Sequence, residues 1–152
     1  MIGGGERPVM NEAKGDIAGI SAAALALMAI HYKKYSSSYS SSCLSKAESI
    51  YRYGSSRPSG TDDSFYPSET WMDDFFCGAI ELYRATQNQT YFETAQSYEE
   101  RIGQHYWVVD WDYHQDYCRH SAVLVNNFSF FFFFSLYAST FSRSRNNCRI
   151  II

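Results

Sequence analysis

Apolar residues recur every three to four positions in four stretches of this chain, and no region is rich in strand-like alternation. The first stretch follows a Gly-rich segment over residues 1–14 that carries Pro8. Asp16 is placed to cap a helix in which Ile17, Ala18, Ile20, Ser21, Ala24, Leu25, Leu27 and Met28 follow at near-helical spacing. The small residues Ala18, Gly19, Ser21, Ala22, Ala23, Ala24 and Ala26 predict close packing on both sides of it. The second stretch contains two serine runs, Ser36–Ser38 and Ser40–Ser42, whose composition is that of a linker. Across them, however, Tyr35, Tyr39, Cys43, Leu44, Ala47, Ile50 and Tyr51 keep the helical period, which predicts a helix over 39–53 closed by Gly54.

Residues 55–68, with Pro58, Gly60 and Pro67, read as a long loop. A third helix is expected over 68–85, with Glu69, Asp73 and Asp74 early and Arg84 late, as the helix dipole favours. A short turn through Gln87, Asn88, Gln89 and Thr90 leads to a fourth helix over 91–106, and Trp107-Val108-Val109-Asp110-Trp111 reads as extended. Helix, short turn, helix, long loop, then the same again: the pattern is all-α and built of helical hairpins.

Composition narrows the possibilities. With 152 residues the chain makes one ordinary domain, and 45% hydrophobic against 19% charged residues excludes disorder throughout. A net charge of −3 argues against a nucleic-acid partner. Aromatics make up 18%, with 13 Tyr and 11 Phe, which suits a sugar-contacting surface as well as a helical core. From Arg119 onward the composition changes: Arg119, Arg143, Arg145 and Arg149 are accompanied by no acid, Phe130–Phe134 form an unbroken run, and the chain ends in three isoleucines. The apolar part of this tail, over 121–141, is broken by Asn126-Asn127 and several serines, which argues against a membrane span. No secretory signal is visible in Met1-Ile2-Gly3-Gly4-Gly5. Cys43, Cys77, Cys118 and Cys148 form no metal-finger pattern, and Cys77, set in Phe75-Phe76-Cys77-Gly78-Ala79-Ile80, is expected to be a buried free thiol. His31, His105, His114 and His120 lack metal-ligand spacing. Asn88-Gln89-Thr90 and Asn127-Phe128-Ser129 are glycosylation sequons that would matter in a secreted chain.

Five segments carry a resemblance. Arg7-Pro8, followed by Gly15-Asp16-Ile17-Ala18-Gly19-Ile20-Ser21-Ala22-Ala23-Ala24-Leu25-Ala26, resembles "R-P … G-S-D-V-A-G-E-T-A-A-A-L-A" of glycoside hydrolase family 9, the endoglucanase (cellulase) family. Leu44-Ser45-Lys46-Ala47-Glu48-Ser49-Ile50-Tyr51 is similar to its "L-x-x-A-x-x-L-Y". Phe65-Tyr66-Pro67-Ser68 with Trp71-Met72-Asp73-Asp74-Phe75 resembles "F-Y-x-S … Y-x-D-E-L". Leu82-Tyr83-Arg84-Ala85-Thr86 with Tyr91-Phe92 and Ala95 resembles "L-Y-R-A-T-G-D-x-x-Y-L-x-x-A", and Trp107 to Asp112 resembles "W-x-x-x-W-D".

The resemblance covers residues 7–117 and implies part of an (α/α)6 barrel of helical hairpins. The tail over 118–152 is expected to be divergent, as a frameshift or intron read-through would make it. The family's "D-A-G-D" loop with its aspartate base, its late glutamate acid and its His-Arg segment are not found in this sequence. The implied function is therefore that of a fragment of a secreted, inverting β-1,4-glucan hydrolase whose acid and base lie outside this chain. By the same resemblance Trp107 and Tyr66 are the sugar-contacting candidates. Asp73 and Asp74 are not a catalytic pair, because adjacent helical residues point about 100° apart. In some members of the family this helix start holds calcium; carried across, the ligands are Asp73, Asp74 and Asp112, with oxygens from Glu69 and Thr70. The reading from another class is a tetratricopeptide-like helical-repeat module that binds peptide, although a 34-residue register is not found.

Overall fold

A computed structural model describes residues 14–60, 68, 70–102 and 115–123. Five helices are present among them: α1 (Gly15–Tyr32), α2 (Ser37–Ser55), α3 (Met72–Thr86), α4 (Gln89–Ile102) and α5 (Gln115–Val123). The chain divides into two compact units, residues 1–121 and 122–152, and the contacts described below all lie within the first.

α1 begins two residues earlier than expected. Lys14 is its N-cap, and Asp16 lies inside the first turn, 6% exposed, with its carboxylate accepting the Ile17 N–H at 2.7 Å. The helix is anchored from outside, since the Ser59 carbonyl accepts the Asp16 N–H at 3.1 Å. One face of α1 (Ala18, Gly19, Ala22, Ala23, Ala26 and Ala29) is buried, and α1 packs on both α2 and α3. Small side chains there let helix backbones approach closely, so the sequence-based expectation of packing on two sides is met. By length and composition α1 is also apolar enough to cross a membrane.

The serine runs belong to α2 rather than to a linker. Ser36 is the N-cap, accepting the Tyr39 N–H at 3.3 Å, and Ser40 donates to the Ala29 carbonyl on α1 at 2.7 Å. Gly54 does not close the helix, which continues to Ser55. Its lack of a side chain serves packing instead: a Cβ there would come within 2.5 Å of Ala18 Cβ and 2.9 Å of the Phe75 ring. α2 therefore runs antiparallel to α1, its start beside Ala29 and its end beside Ala18.

α3 is the core. Every residue from Asp73 to Tyr83 is buried. It starts at Met72, four residues later than predicted; Trp71 is its N-cap, without a side-chain hydrogen bond, and just before it Thr70 Oγ1 accepts the Met72 N–H at 3.2 Å. It ends at Gln87, in the left-handed conformation (φ 59°), whose N–H donates to the Tyr83 carbonyl at 2.7 Å. After this short turn α4 folds back on α3, with Tyr83 against Phe92 at 5.2 Å between centroids. α4 is described from Gln89 to Ile102, and the rest of the expected stretch to 106 lies outside the described residues. α5 runs through positions 117 and 118, where the sequence reading placed the start of the divergent tail.

Candidate functional site

The hairpin turns at 33–36 and 87–88 lie at one end of the helices, while α1 and α3 begin, and α2 and α4 finish, at the other. That second end holds Asp73, Asp74 and the Trp71 ring. Asp73 is fully buried and Asp74 is 5% exposed, both in the first turn of α3. Thr70 precedes them, its carbonyl accepting the Ser68 hydroxyl at 2.7 Å. The start of α1 presses on the same place: a Cβ on Gly19 would lie 2.8–2.9 Å from backbone atoms of Asp74 and Phe75. Trp71, half-buried, stands edge-on to Phe75 at 5.6 Å and to Tyr98 of α4 at 6.0 Å. Burial raises the Tyr98 hydroxyl pKa above its ordinary value, against the lowering effect of the Arg101 guanidinium, so it stays protonated at neutral pH.

Of the predicted site residues, Asp73, Asp74 and Thr70 are brought together at this helix start. Tyr66, Glu69, Trp107 and Asp112 lie outside the described residues. Among the described residues no group of three metal-ligating side chains converges.

The cysteine expectation is corrected. Cys77 is not a free thiol but is bonded to Cys118, with Cα atoms 5.2 Å apart, tying α5 to the centre of α3. Cys77 is fully buried and Cys118 1% exposed, while Cys43 on α2 is buried and free. An even cysteine count was the only signal in the sequence, and it does not say which thiols pair.

Sequence reasoning also missed a buried charge pair beside this bond. Glu81, fully buried, accepts from Arg84 Nη1 at 2.7 Å through Oε2, while its Oε1 accepts no hydrogen bond among the described residues. The same Arg84 nitrogen reaches the Ser121 hydroxyl of α5 at 3.2 Å. A second link comes from Arg119 of α5, which donates to Glu99 of α4 at 2.8 Å and to Asp116 at 2.9 Å. Burial is the main cause that raises the Glu99 carboxyl above its ordinary value; Arg119 opposes it and Asp116 adds to it. These links hold helices against one another and supply no acid–base pair across an open cleft.

Comparison with known proteins places this architecture. The sequence model of glycosyl hydrolase family 9 matches residues 3–147. Endoglucanase 5 of Arabidopsis thaliana is 33% identical over 108 residues, covering 64% of this chain and 17% of that protein. Endoglucanase 4 of Bacillus sp. (strain KSM-522) is 33% identical over 105 residues, 64% of this chain and 16% of that protein. Among solved structures, the cellulase Cel9M of C. cellulolyticum matches with a TM-score of 0.71 and 28% identity over 83% of this chain and 31% of its own. The endoglucanase of the termite Nasutitermes takasagoensis matches with a TM-score of 0.68 and 28% identity over 76% of this chain and 28% of its own. Cel9M has also been solved in complex with cellobiose, and that structure matches over 78% of this chain. The chain thus spans about a sixth of the length of these curated relatives and under a third of the solved domains. Its helices correspond to part of an (α/α)6 barrel, and the chain belongs to glycosyl hydrolase family 9.

Proposed function

We propose that this chain forms part of the helical wall of a β-1,4-glucan hydrolase that acts with inversion, the general acid and the base coming from outside it. The likeness to a cellulase solved with cellobiose carries this reading. Inverting hydrolysis needs one carboxylate to activate water and a separate protonated carboxyl to protonate the leaving oxygen. The buried acids described above are committed elsewhere: Asp73 and Asp74 to a helix start, Glu81 and Glu99 to arginines. In the complete domain Trp107 and Tyr66 contact the sugar, since an aromatic face packs against pyranose C–H groups.

A structural calcium ion is part of the proposal. Asp73 and Asp74 are hard oxygen donors set side by side at the start of α3, and the Thr70 carbonyl stands just before them. Calcium takes about six to eight such oxygens; Asp112 and Glu69 would supply others. Bound there, the ion would join the segment carrying Trp107 to α3. The site of action is extracellular, which the Cys77–Cys118 bond supports, because disulfides persist in oxidising compartments.

The test is hydrolysis of soluble β-glucan. The purified 152-residue chain is expected to show no turnover, and a domain completed with the family's remaining hairpins is expected to release product of inverted anomeric configuration. Turnover by the chain alone, or retained configuration, overturns the reading. For calcium, the completed domain should melt higher with millimolar calcium than with chelator, and Asp112→Ala should erase the difference.

A further inference from the structure

We propose that Asn88 is a site of N-linked glycosylation, taking an oligosaccharide from a lipid-diphosphate donor onto its side-chain nitrogen. The sequence Asn88-Gln89-Thr90 satisfies the acceptor rule, with no proline in the middle and a hydroxyl two residues on. The structure adds what the sequon alone lacks. Asn88, Gln89 and Thr90 are all exposed, Asn88 in the turn between α3 and α4 and the other two at the first residues of α4. The Asn88 amide is held in one orientation: Oδ1 accepts the Thr90 N–H at 3.1 Å, satisfying one of the free donors at the start of α4. Its backbone is pinned as well, the N–H donating to Thr86 Oγ1 at 3.1 Å and the carbonyl accepting from Tyr91 at 3.0 Å.

With Oδ1 turned to the backbone, Nδ2 faces away from it and makes no hydrogen bond among the described residues. Glycosylation replaces one hydrogen on that nitrogen and leaves Oδ1 an acceptor. The modified residue therefore keeps its cap, and no internal hydrogen bond is given up. In the transfer, the C–N bond forms between Nδ2 and the anomeric carbon of the first sugar. The bond from that carbon to the lipid diphosphate breaks, the diphosphate leaves with the electron pair, and the amide proton passes to a base of the transferase.

Position favours the site too. Asn88 immediately precedes α4, whereas Trp71 at the start of α3 meets that helix at Tyr98, about 15 Å further along it. A glycan at position 88 is thus attached clear of the start of α3. The Cys77–Cys118 bond points to the same compartment, since the oxidising lumen where disulfides form is also where the glycan transfer takes place.

This inference rests on the extracellular reading above, so the experiment supplies the secretory route itself. The full chain is secreted from a eukaryotic host behind a host signal sequence and checked for its disulfide by thiol counting. It is then treated with peptide-N-glycosidase F in heavy-oxygen water. The expected result is a mass loss of one glycan and an isotope-labelled aspartate at position 88. Asn88→Gln and Thr90→Val should each abolish that label, Thr90→Ser should retain it, and Asn127→Gln should leave it unchanged. An unmodified Asn88 in the secreted, disulfide-bonded chain overturns the proposal, as does modification confined to the fraction that lacks the disulfide.

Discussion

Tyr51 of α2 closes over Gly78 of α3: a Cβ at position 78 would meet two atoms of the Tyr51 ring at 2.8 Å, and the Tyr51 hydroxyl donates to the Phe75 carbonyl at 3.2 Å. The Gly19 carbonyl of α1 comes within 2.9 Å of the same hypothetical atom. Three helices therefore meet at a point with no room for a methyl group. Gly78→Ala should destabilise by about 1–3 kcal/mol, because overpacking forces the ring or a backbone to move. Tyr51→Phe, which removes only the hydrogen bond, should lose about 1 kcal/mol. Denaturant midpoints of the two variants check both; an unchanged Gly78→Ala protein would mean that the helices do not cross here.

The Cys77–Cys118 bond closes a loop with a sequence separation of 41. Loop-closure entropy assigns such a ring about 4 kcal/mol of stabilisation. Cys118→Ser should therefore lower the unfolding free energy by roughly that amount, measured under non-reducing conditions. Hydrogen exchange should show the loss first in α5, which has only nine residues and is too short to persist without its attachments.

Removing Arg84 strands a carboxylate. With its partner gone, Glu81 would keep its buried position and no compensating charge, so Arg84→Met should cost about 3–5 kcal/mol. The double variant Glu81→Leu/Arg84→Met should recover most of that loss, since no charge is then left inside. A double-mutant cycle on thermal or chemical unfolding reads the coupling directly.

The raised pKa of Glu99 gives stability a pH dependence of definite sign. The folded protein binds this proton more tightly than the unfolded chain, whose carboxyl titrates near 4.5. The contribution is fully present below pH 4.5 and is lost as pH rises through the higher folded value. Melting temperature should accordingly fall across that window, and Glu99→Gln should remove this part of the slope while keeping an acceptor for Arg119. A slope unaffected by Glu99→Gln would place the titration elsewhere.

The helical hairpins were legible in the sequence because burial of one face imposes a period on a helix by itself. Cys43, Ala47 and Tyr51, buried at four-residue spacing, show it even beside the serines, whereas α3, buried at every position from Asp73 to Tyr83, does not. The family, too, could be read from Leu82-Tyr83-Arg84-Ala85-Thr86 and its companions, since these combine helix period with a particular order of residues. Helix ends were less legible. Ser36 caps α2, and Thr70 receives the first N–H of α3, through hydroxyls whose role depends on backbone geometry, and many serines near Ser36 could have served equally. Gly54 read as a helix stop, whereas its purpose is to admit Ala18 and Phe75. The pairing of Cys77 with Cys118, the burial of Glu81 against Arg84 and Ser121, and the closure around Gly78 were decided by tertiary structure alone. Each depends on which segments, distant along the chain, come to lie side by side, and a local period records how one face is buried but not what it is buried against.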